Sequence, residues 1–319
     1  MLILTRILKG GDILGSFFAA LTTVGVMLFY AVPGFLLVKT KLVGSEGISN
    51  FAKLLMYVCS PMLVIYSFIN INFSWSLVGK MGIAFAIAMA VMLLFVLVFS
   101  RIFKNKADAK YRIYTLATVF PNCAFMGVPI LQAVLPQYPE ALAFSVMFSM
   151  ALNISAWTVG SFVITGDKRY IRPRKVFLNP QIFAMLVAIP LFVFGVKLPT
   201  QLDGMVTLLG KMSTPLCMLI MGMRLATTPV KGIFLKPMQY LIIAIKQLAL
   251  PLLVYLLLLP LPLDYNMKAS MYIIFACPVA SVILSFAEML GKGQRDAANM
   301  VLLGTSLSAL TIPLMCLLI

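Results

Sequence analysis

The chain has 319 residues, of which 62% are hydrophobic and only 11% are charged, and its 25 lysines and arginines against nine acids give a formal net charge of +16. Soluble domains are about half apolar and about a quarter charged, so this composition excludes a water-soluble fold. The apolar segments follow one another almost without interruption, which predicts a single membrane domain surrounded by lipid.

Ten segments are apolar over about the 20 residues that a helix needs to cross the hydrocarbon core. The first follows Arg6 and Lys9, and it is longer than the apolar part of a signal peptide, which predicts a membrane helix rather than a cleaved leader. The sixth is the shortest and contains Pro190. The predicted spans are residues 14–38, 50–71, 78–100, 113–135, 141–164, 181–196, 204–225, 238–260, 268–290 and 296–318.

The short connectors between these spans carry nearly all of the charge. Eighteen basic residues lie in connectors after odd-numbered spans and six lie on the opposite side, while Lys246 lies inside the eighth span. Because basic residues concentrate on the cytoplasmic side, both termini are predicted to be non-cytoplasmic in a multi-pass protein of the cell membrane, plasma or inner. The basic run 167–175 is then a cytoplasmic connector, which we favour over a nucleic-acid site.

Several short motifs recur in the same order in the two halves of the chain. Each recurrence alone is a weak signal, but three at nearly one spacing indicate an internal repeat. The recurring pairs are Pro61 and Pro215, Pro121 and Pro278, and Thr158 and Thr311, at offsets of 154, 157 and 153 residues.

Because five spans per repeat is an odd number, the two halves would enter the membrane from opposite sides. Inverted repeats of this kind are common in secondary transporters, whose substrate sites lie between the halves. The sequence therefore predicts an all-α integral membrane fold of ten helices in two inverted five-helix repeats. Residues 1–165 form the first repeat, 166–180 a short basic cytoplasmic connector, and 181–319 the second repeat.

The fourth span contains two prolines, a glycine and an asparagine within nine residues, a combination that a regular helix does not accommodate. Broken backbone at membrane depth is tolerated where protein or a water-filled cavity satisfies the freed groups, and half-helix ends carry partial charges. We therefore predict a small-anion site here and at the matching segment of the ninth span; the alternative is an ordinary proline kink. The candidate substrate-binding residues are Pro121, Asn122, Cys123, Gly127, Asn153, Lys246, Pro278, Ala280 and Ser281.

Lys246 is predicted to place an ammonium inside the membrane, which is costly and indicates a functional site. It could balance the charge of an anionic substrate or take the place of a coupling cation. The structural alternative is that its stem snorkels or that its ammonium bonds to backbone carbonyls.

Residue types that are missing from the chain or from its predicted spans also limit the possible functions. Histidine does not occur, and of the nine acids only Glu288 approaches the interior of a span, which argues against a cation antiporter and against a hydrolytic or metal-dependent enzyme. The five cysteines all lie in apolar segments without zinc-ligand spacing. We predict no catalytic site and no bound metal or cofactor, and leave proton or sodium coupling open.

Residues 121–129 of the fourth span are similar to the N-x-G-(F/Y)-x-G-x-P signature of the auxin efflux carrier family, the PIN-like carriers. One departure is Ala124, where that family usually has glycine. The resemblance extends over essentially the whole chain. Further similar segments are Asn179 with Pro180, Pro215, residues 222–225, residues 277–280 and residues 308–313.

The resemblance implies that the fourth and ninth spans cross at their broken segments. Spans one, two, six and seven would form a scaffold, and the remaining spans a mobile transport domain. Substrates of such carriers are small organic anions, such as indole-acetate-like acids, malonate or malate, and the short central connector favours a bacterial-type member.

The expected function is secondary transport of a small organic anion by alternating access. A passive anion channel and a sodium-coupled organic-anion symporter are the alternatives. The expected partners are the organic anion and membrane lipid, with no nucleic acid, and the oligomeric state stays open, with a homodimer as one alternative.

Overall fold

A computed structural model describes residues 11–69, 71–103, 109–166, 179–228, 236–284, 287 and 293–319. Residues 167–178 of the predicted basic connector 166–180, and Glu288, lie outside these residues. Over the described ranges the chain consists of helices and short turns, with one isolated antiparallel bridge between Pro121 and Val279. The helical class predicted from composition is therefore confirmed.

The first half is built from helices that π-helical turns or short breaks interrupt in several spans. A π-helical turn has hydrogen bonds from residue i to i+5 and is wider than the α-helix around it. The helices are Gly11–Phe29, Ala31–Lys39, Gly47–Leu54, Ser60–Ile69, Trp75–Ile102, Ala109–Val119, Val128–Val134, Ala141–Ser155 and Ser161–Thr165, and the π-helical turns are Leu55–Cys59, Cys123–Gly127 and Ala156–Gly160.

The second half also consists of helices, one of which contains a π-helical turn. A fourth π-helical turn, Ile245–Ala249, interrupts the eighth predicted span. The helices are Pro180–Val193, Thr200–Lys211, Ser213–Thr227, Pro237–Ala244, Leu250–Leu258, Tyr265–Ala276 and Gln294–Cys316.

Seven continuous helical segments of the described chain are long and apolar enough to cross a membrane. They coincide with seven of the ten predicted spans. The fourth, sixth and ninth predicted spans contain shorter helices, because Pro121 and Pro278 lie in breaks and the sixth apolar segment is itself short. The seven segments are Leu14–Lys39, Gly47–Ile69, Trp75–Ile102, Ala141–Ile164, Thr200–Thr227, Pro237–Leu258 and Gln294–Cys316.

Burial separates central helices from peripheral ones. In Ala141–Ile164, 72% of the most apolar 18-residue stretch is buried inside the protein, whereas in Leu14–Lys39 the buried share of the corresponding stretch is 17%. The fifth predicted span is therefore surrounded by other helices, whereas the first exposes large apolar side chains such as Phe18 and Phe29 to the surroundings. That exposure fits a helix whose outer face lies against lipid.

The ends of the helices follow local capping rules. Asn179 caps Pro180–Val193: its side-chain oxygen accepts a hydrogen bond from the N–H of Gln181 at 2.9 Å. Asp264 caps Tyr265–Ala276 through the N–H of Met267 at 2.7 Å, and Lys80 pairs with the same carboxylate at 2.7 Å. Burial alone would raise the pKa of Asp264, but these partners outweigh it and hold that pKa below its usual value.

Two helices approach so closely that their backbones touch. A Cβ atom added to Gly222 would overlap the carbonyl of Ala31, and one added to Gly34 would overlap the carbonyl of Leu219. Ala31 and Gly34 lie one turn apart on the first helix, and Leu219 and Gly222 lie one turn apart on the second. Each helix therefore contributes one glycine and one carbonyl to the contact. Small residues permit this close packing in membrane proteins, and it joins Ala31–Lys39 of the first predicted span to Ser213–Thr227 of the seventh.

Candidate functional site

The two proline-containing breaks meet at a pair of backbone hydrogen bonds. The N–H of Asn122 donates to the carbonyl of Pro278 at 2.8 Å, and the N–H of Ala280 donates to the carbonyl of Phe120 at 2.9 Å. Together these bonds form the antiparallel bridge between Pro121 and Val279. Each break thus satisfies backbone groups that the other break has freed, which is the condition for irregular backbone inside a membrane.

This pairing changes which donors are available to a ligand. The N–H groups of Asn122 and Ala280 take part in the crossing and therefore are not free to bind an anion. The first turn after the break, at Ala124 and Phe125, supplies N–H groups that by helix geometry have no intrahelical partner. The side chain of Asn122 does not cap the π-helical turn that follows it, so its amide can be directed elsewhere.

A cavity of about 480 Å³ lies against the crossing. Six of the nine predicted site residues line it. The cavity therefore brings together residues from the fourth, fifth and ninth predicted spans. The six are Pro121, Asn122, Cys123, Asn153, Ala280 and Ser281.

The other three predicted site residues do not line the cavity. Gly127 packs against the fifth span, where an added Cβ would lie 3.1 Å from the hydroxyl of Ser145. Pro278 contributes its carbonyl to the crossing. Lys246 is fully buried, and its ammonium donates to the carbonyl of Phe275 at 2.7 Å.

Two serines of the fifth span hold the start of the second half-helix in place. The hydroxyl of Ser145 donates to the carbonyl of Cys123 at 2.6 Å. The hydroxyl of Ser149 lies 3.2 Å from the thiol of Cys123 and also donates to the carbonyl of Ser145 at 3.0 Å. Ser149 lines the cavity as well, so this contact places a hydroxyl next to Cys123 that the sequence did not single out.

An amide network forms another wall of the cavity. Asn153 donates to the side-chain oxygen of Gln181 at 2.7 Å and accepts from the side-chain amide of Asn179 at 2.8 Å. Gln181 in turn donates to the hydroxyl of Ser60. The network joins the fifth predicted span to the second and sixth, and Asn153 is the one member that the sequence singled out as a site residue.

Arg224 brings a fixed positive charge to the cavity. It lies in the last turn of Ser213–Thr227, is partly buried and lines the cavity wall. No aspartate or glutamate occurs among the described residues that line it. The cavity therefore favours a negatively charged ligand.

Three π-helical turns contribute residues to the cavity: Leu55–Cys59, Cys123–Gly127 and Ala156–Gly160. Such turns are rare in proteins and occur frequently at functional sites. Here each one contributes lining residues, such as Tyr57 and Trp157. Cys123–Gly127 lies within the break that the sequence predicts, whereas the residue patterns of Leu55–Cys59 and Ala156–Gly160 do not indicate an interrupted α-helix.

A second cavity of about 340 Å³ lies on another side of the fourth predicted span. Thr214, which lines this cavity, donates to the carbonyl of Phe125, which lines the first, at 2.9 Å. Within the second cavity, Gln132 donates to the hydroxyl of Tyr66 at 3.1 Å. Lys211 also lines this cavity, with its ammonium 5.5 Å from the centre of the Tyr66 ring.

The described residues contain no group of three or more histidine, cysteine, aspartate or glutamate side chains that could hold a metal ion. The five cysteines are buried and free. The polar side chains that line the cavity include amides, hydroxyls, two thiols and a guanidinium, all of which can donate hydrogen bonds to an anion.

The comparison with family models agrees with the motif in the fourth span. The model of the family described as membrane transport protein matches residues 19–174 and 170–316. No curated protein matches the chain. The family match covers nearly the whole chain, and the resemblance to the auxin efflux carriers is thereby confirmed. The chain belongs to the membrane transport protein family, the family of the auxin efflux carriers.

Proposed function

We propose that the chain is a secondary carrier that moves a small organic anion across the cell membrane by alternating access. The observation that carries this proposal is the cavity at the crossing, where Asn122 and Arg224 are present and carboxylates are absent from the described lining. A side-chain amide and a guanidinium both donate hydrogen bonds to a carboxylate. Malonate, malate and indole-acetate-like acids are the substrates to test first.

The proposed architecture has ten spans in two inverted repeats, with residues 1–165 and 181–319 as the halves. The packing supports a scaffold of the first, second, sixth and seventh spans, because Ala31–Lys39 packs on Ser213–Thr227 and Pro180–Val193 packs on Ser60–Ile69. The remaining spans would carry the crossing as a mobile unit.

The two cavities support alternating access. With both termini non-cytoplasmic, Arg224 lies near the cytoplasmic face and Lys211 near the opposite one. The larger cavity would then face the cytoplasm in this conformation, and the Gln132–Tyr66 and Thr214–Phe125 bonds would close the other side. A passive channel needs a continuous polar path, whereas the two cavities are separate and the Thr214–Phe125 bond joins a lining residue of one to a lining residue of the other.

Purified protein in proteoliposomes tests the carrier function. Vesicles loaded with unlabelled anion should accumulate labelled anion from outside transiently, and the uptake should saturate. Counterflow of this kind requires a site that alternates between the two faces. Uptake that rises linearly with concentration and shows no counterflow would indicate a channel, and uptake that requires a sodium gradient would indicate a symporter.

The proposed orientation predicts that residue 170 is cytoplasmic. In a background without the five native cysteines, Tyr170→Cys should react with a membrane-impermeant maleimide only after the cells are opened. The physical reason is the concentration of basic residues in the connectors after odd-numbered spans. Labelling of intact cells at this position would reverse the orientation.

A further inference from the structure

Lys246 is a charged side chain with no exposure to solvent or to the cavity. Its ammonium donates to the carbonyl of Phe275 at 2.7 Å, and no carboxylate of the described residues pairs with it. An ammonium buried without a carboxylate is expensive unless other groups supply negative charge. A charged Lys246 therefore requires that neighbouring groups supply partial negative charge.

The carbonyl that receives this ammonium lies at the end of a broken helix. Phe275 is the penultimate residue of Tyr265–Ala276, immediately before the break at Pro278. The last carbonyls of a helix lack intrahelical donors and carry partial negative charge. The N–H of Cys277 donates to the carbonyls of Ile273 and Ile274. The ammonium of Lys246 donates to the next carbonyl along the chain, that of Phe275.

A π-helical turn directs Lys246 to this position. Ile245–Ala249 contains Lys246 and Gln247, both fully buried. Gln247 donates to the carbonyl of Gly304 at 2.7 Å and accepts from the hydroxyl of Thr311 at 2.7 Å. The turn thus connects the eighth predicted span to the ninth through an ammonium and to the tenth through an amide.

The internal repeat shows that this charge has no counterpart in the first half. Offsets of 153 to 157 residues place the equivalent of Lys246 at positions 89–93 of the third predicted span. That stretch reads Met-Ala-Val-Met-Leu and lies in the uninterrupted helix Trp75–Ile102. The equivalent helix of the first half therefore has neither the lysine nor a π-helical turn.

We infer that Lys246 is a built-in cation, whose ammonium fills a monovalent-cation site formed by the carbonyl end of the Tyr265–Ala276 half-helix. Half-helix C-termini and unwound carbonyls are the groups with which transporters bind coupling cations. The carrier would then require no sodium or potassium at this position. The consequence for coupling rests on the proposed function, whereas the cation site itself does not.

The test removes the ammonium and offers a free cation in its place. Lys246→Ala leaves the carbonyl and a space, whereas Lys246→Met fills the space with an apolar chain. Lys268→Ala is the matched control, because its ammonium also donates to a backbone carbonyl, that of Leu259 at 2.9 Å, but at an exposed position. Melting temperatures are measured in choline, sodium and potassium chloride at equal ionic strength, without substrate.

We expect Lys246→Ala to melt lowest in choline chloride and to gain about 2 °C or more in sodium or potassium chloride, with saturation as the cation concentration rises. The parent, Lys246→Met and Lys268→Ala should melt at the same temperature in all three salts. A Lys246→Ala protein that is equally stable in all three salts, or a parent that sodium or potassium stabilises, overturns the inference.

Two further measurements cover a variant that does not fold. If Lys246→Ala aggregates in choline, its yield of monodisperse protein in sodium or potassium chloride becomes the readout: recovery supports a cation site, and aggregation in all three salts overturns it. In the parent, equal counterflow in the three salts is expected and a sodium requirement contradicts the inference. If the parent moves no organic anion, the proposed function fails while the melting comparison still tests the site.

Discussion

Gly222→Leu is expected to separate two helices whose backbones are in contact and to destabilise the protein by about 3 kcal/mol or more. A side chain at Gly222 would overlap the carbonyl of Ala31, which belongs to a helix and cannot move independently. The two helices join the first and seventh predicted spans, so their separation also disturbs the proposed scaffold. The melting temperature in detergent should fall by about 5 °C or more.

Gly204→Leu is the matched control, because Gly204 lies earlier in the same predicted span and an added Cβ there meets no atom within 4 Å. Leucine favours helix more than glycine does, by somewhat less than the roughly 0.8–1 kcal/mol that separates alanine from glycine, so the control should be neutral or slightly stabilising. Equal melting temperatures for the two variants would show that the close helix contact does not stabilise the protein.

Pro121→Ala is expected to weaken anion binding about a hundredfold by allowing the broken helix to continue. A proline in a helix interior costs about 3 kcal/mol, so its removal favours the continuous helix by a similar amount. A continuous helix would withdraw the carbonyl of Phe120 from the N–H of Ala280 and close the crossing. The measurement is the dissociation constant of the best substrate identified by counterflow.

Pro190→Ala is the control for this substitution. Pro190 also lies inside a helix, Pro180–Val193, but it is exposed and does not line the cavity. Removing it should leave anion binding unchanged. If Pro121→Ala and Pro190→Ala bind the substrate equally well, proline at the crossing has no special role in the site.

The positions of the breaks could be predicted from the sequence because proline acts locally. Pro121 removes a backbone donor wherever it occurs, and Pro278 does the same, so the residue types alone indicate interrupted helices. The membrane class follows from composition in the same direct way. The hydrogen bonds between the two breaks depend on segments more than 150 residues apart, and residue types alone do not determine which groups pair.

Other parts of the site depend on tertiary structure. Arg224 resembles a connector charge in the sequence, but the last turn of its helix places it at the cavity. Gln181 has no local signal, and its role arises from contact with Asn153 and Ser60. The π-helical turn Leu55–Cys59 contains no proline or glycine, so its residue types do not indicate that the α-helix is interrupted there.

The central claim is that the crossing of the two breaks forms the anion site, and Asn122→Ala tests it most directly. Asn122 is buried, lines the cavity and follows the proline of the fourth span. Loss of one hydrogen bond to a charged group costs about 1.5–3 kcal/mol, which corresponds to a roughly ten- to hundredfold increase in the substrate dissociation constant. Asn50→Ala, at an exposed asparagine away from the cavity, is the control. We expect Asn122→Ala to bind the substrate more weakly at unchanged expression and monodispersity, and Asn50→Ala to bind it like the parent. If Asn122→Ala binds and transports the substrate like the parent, the account is contradicted.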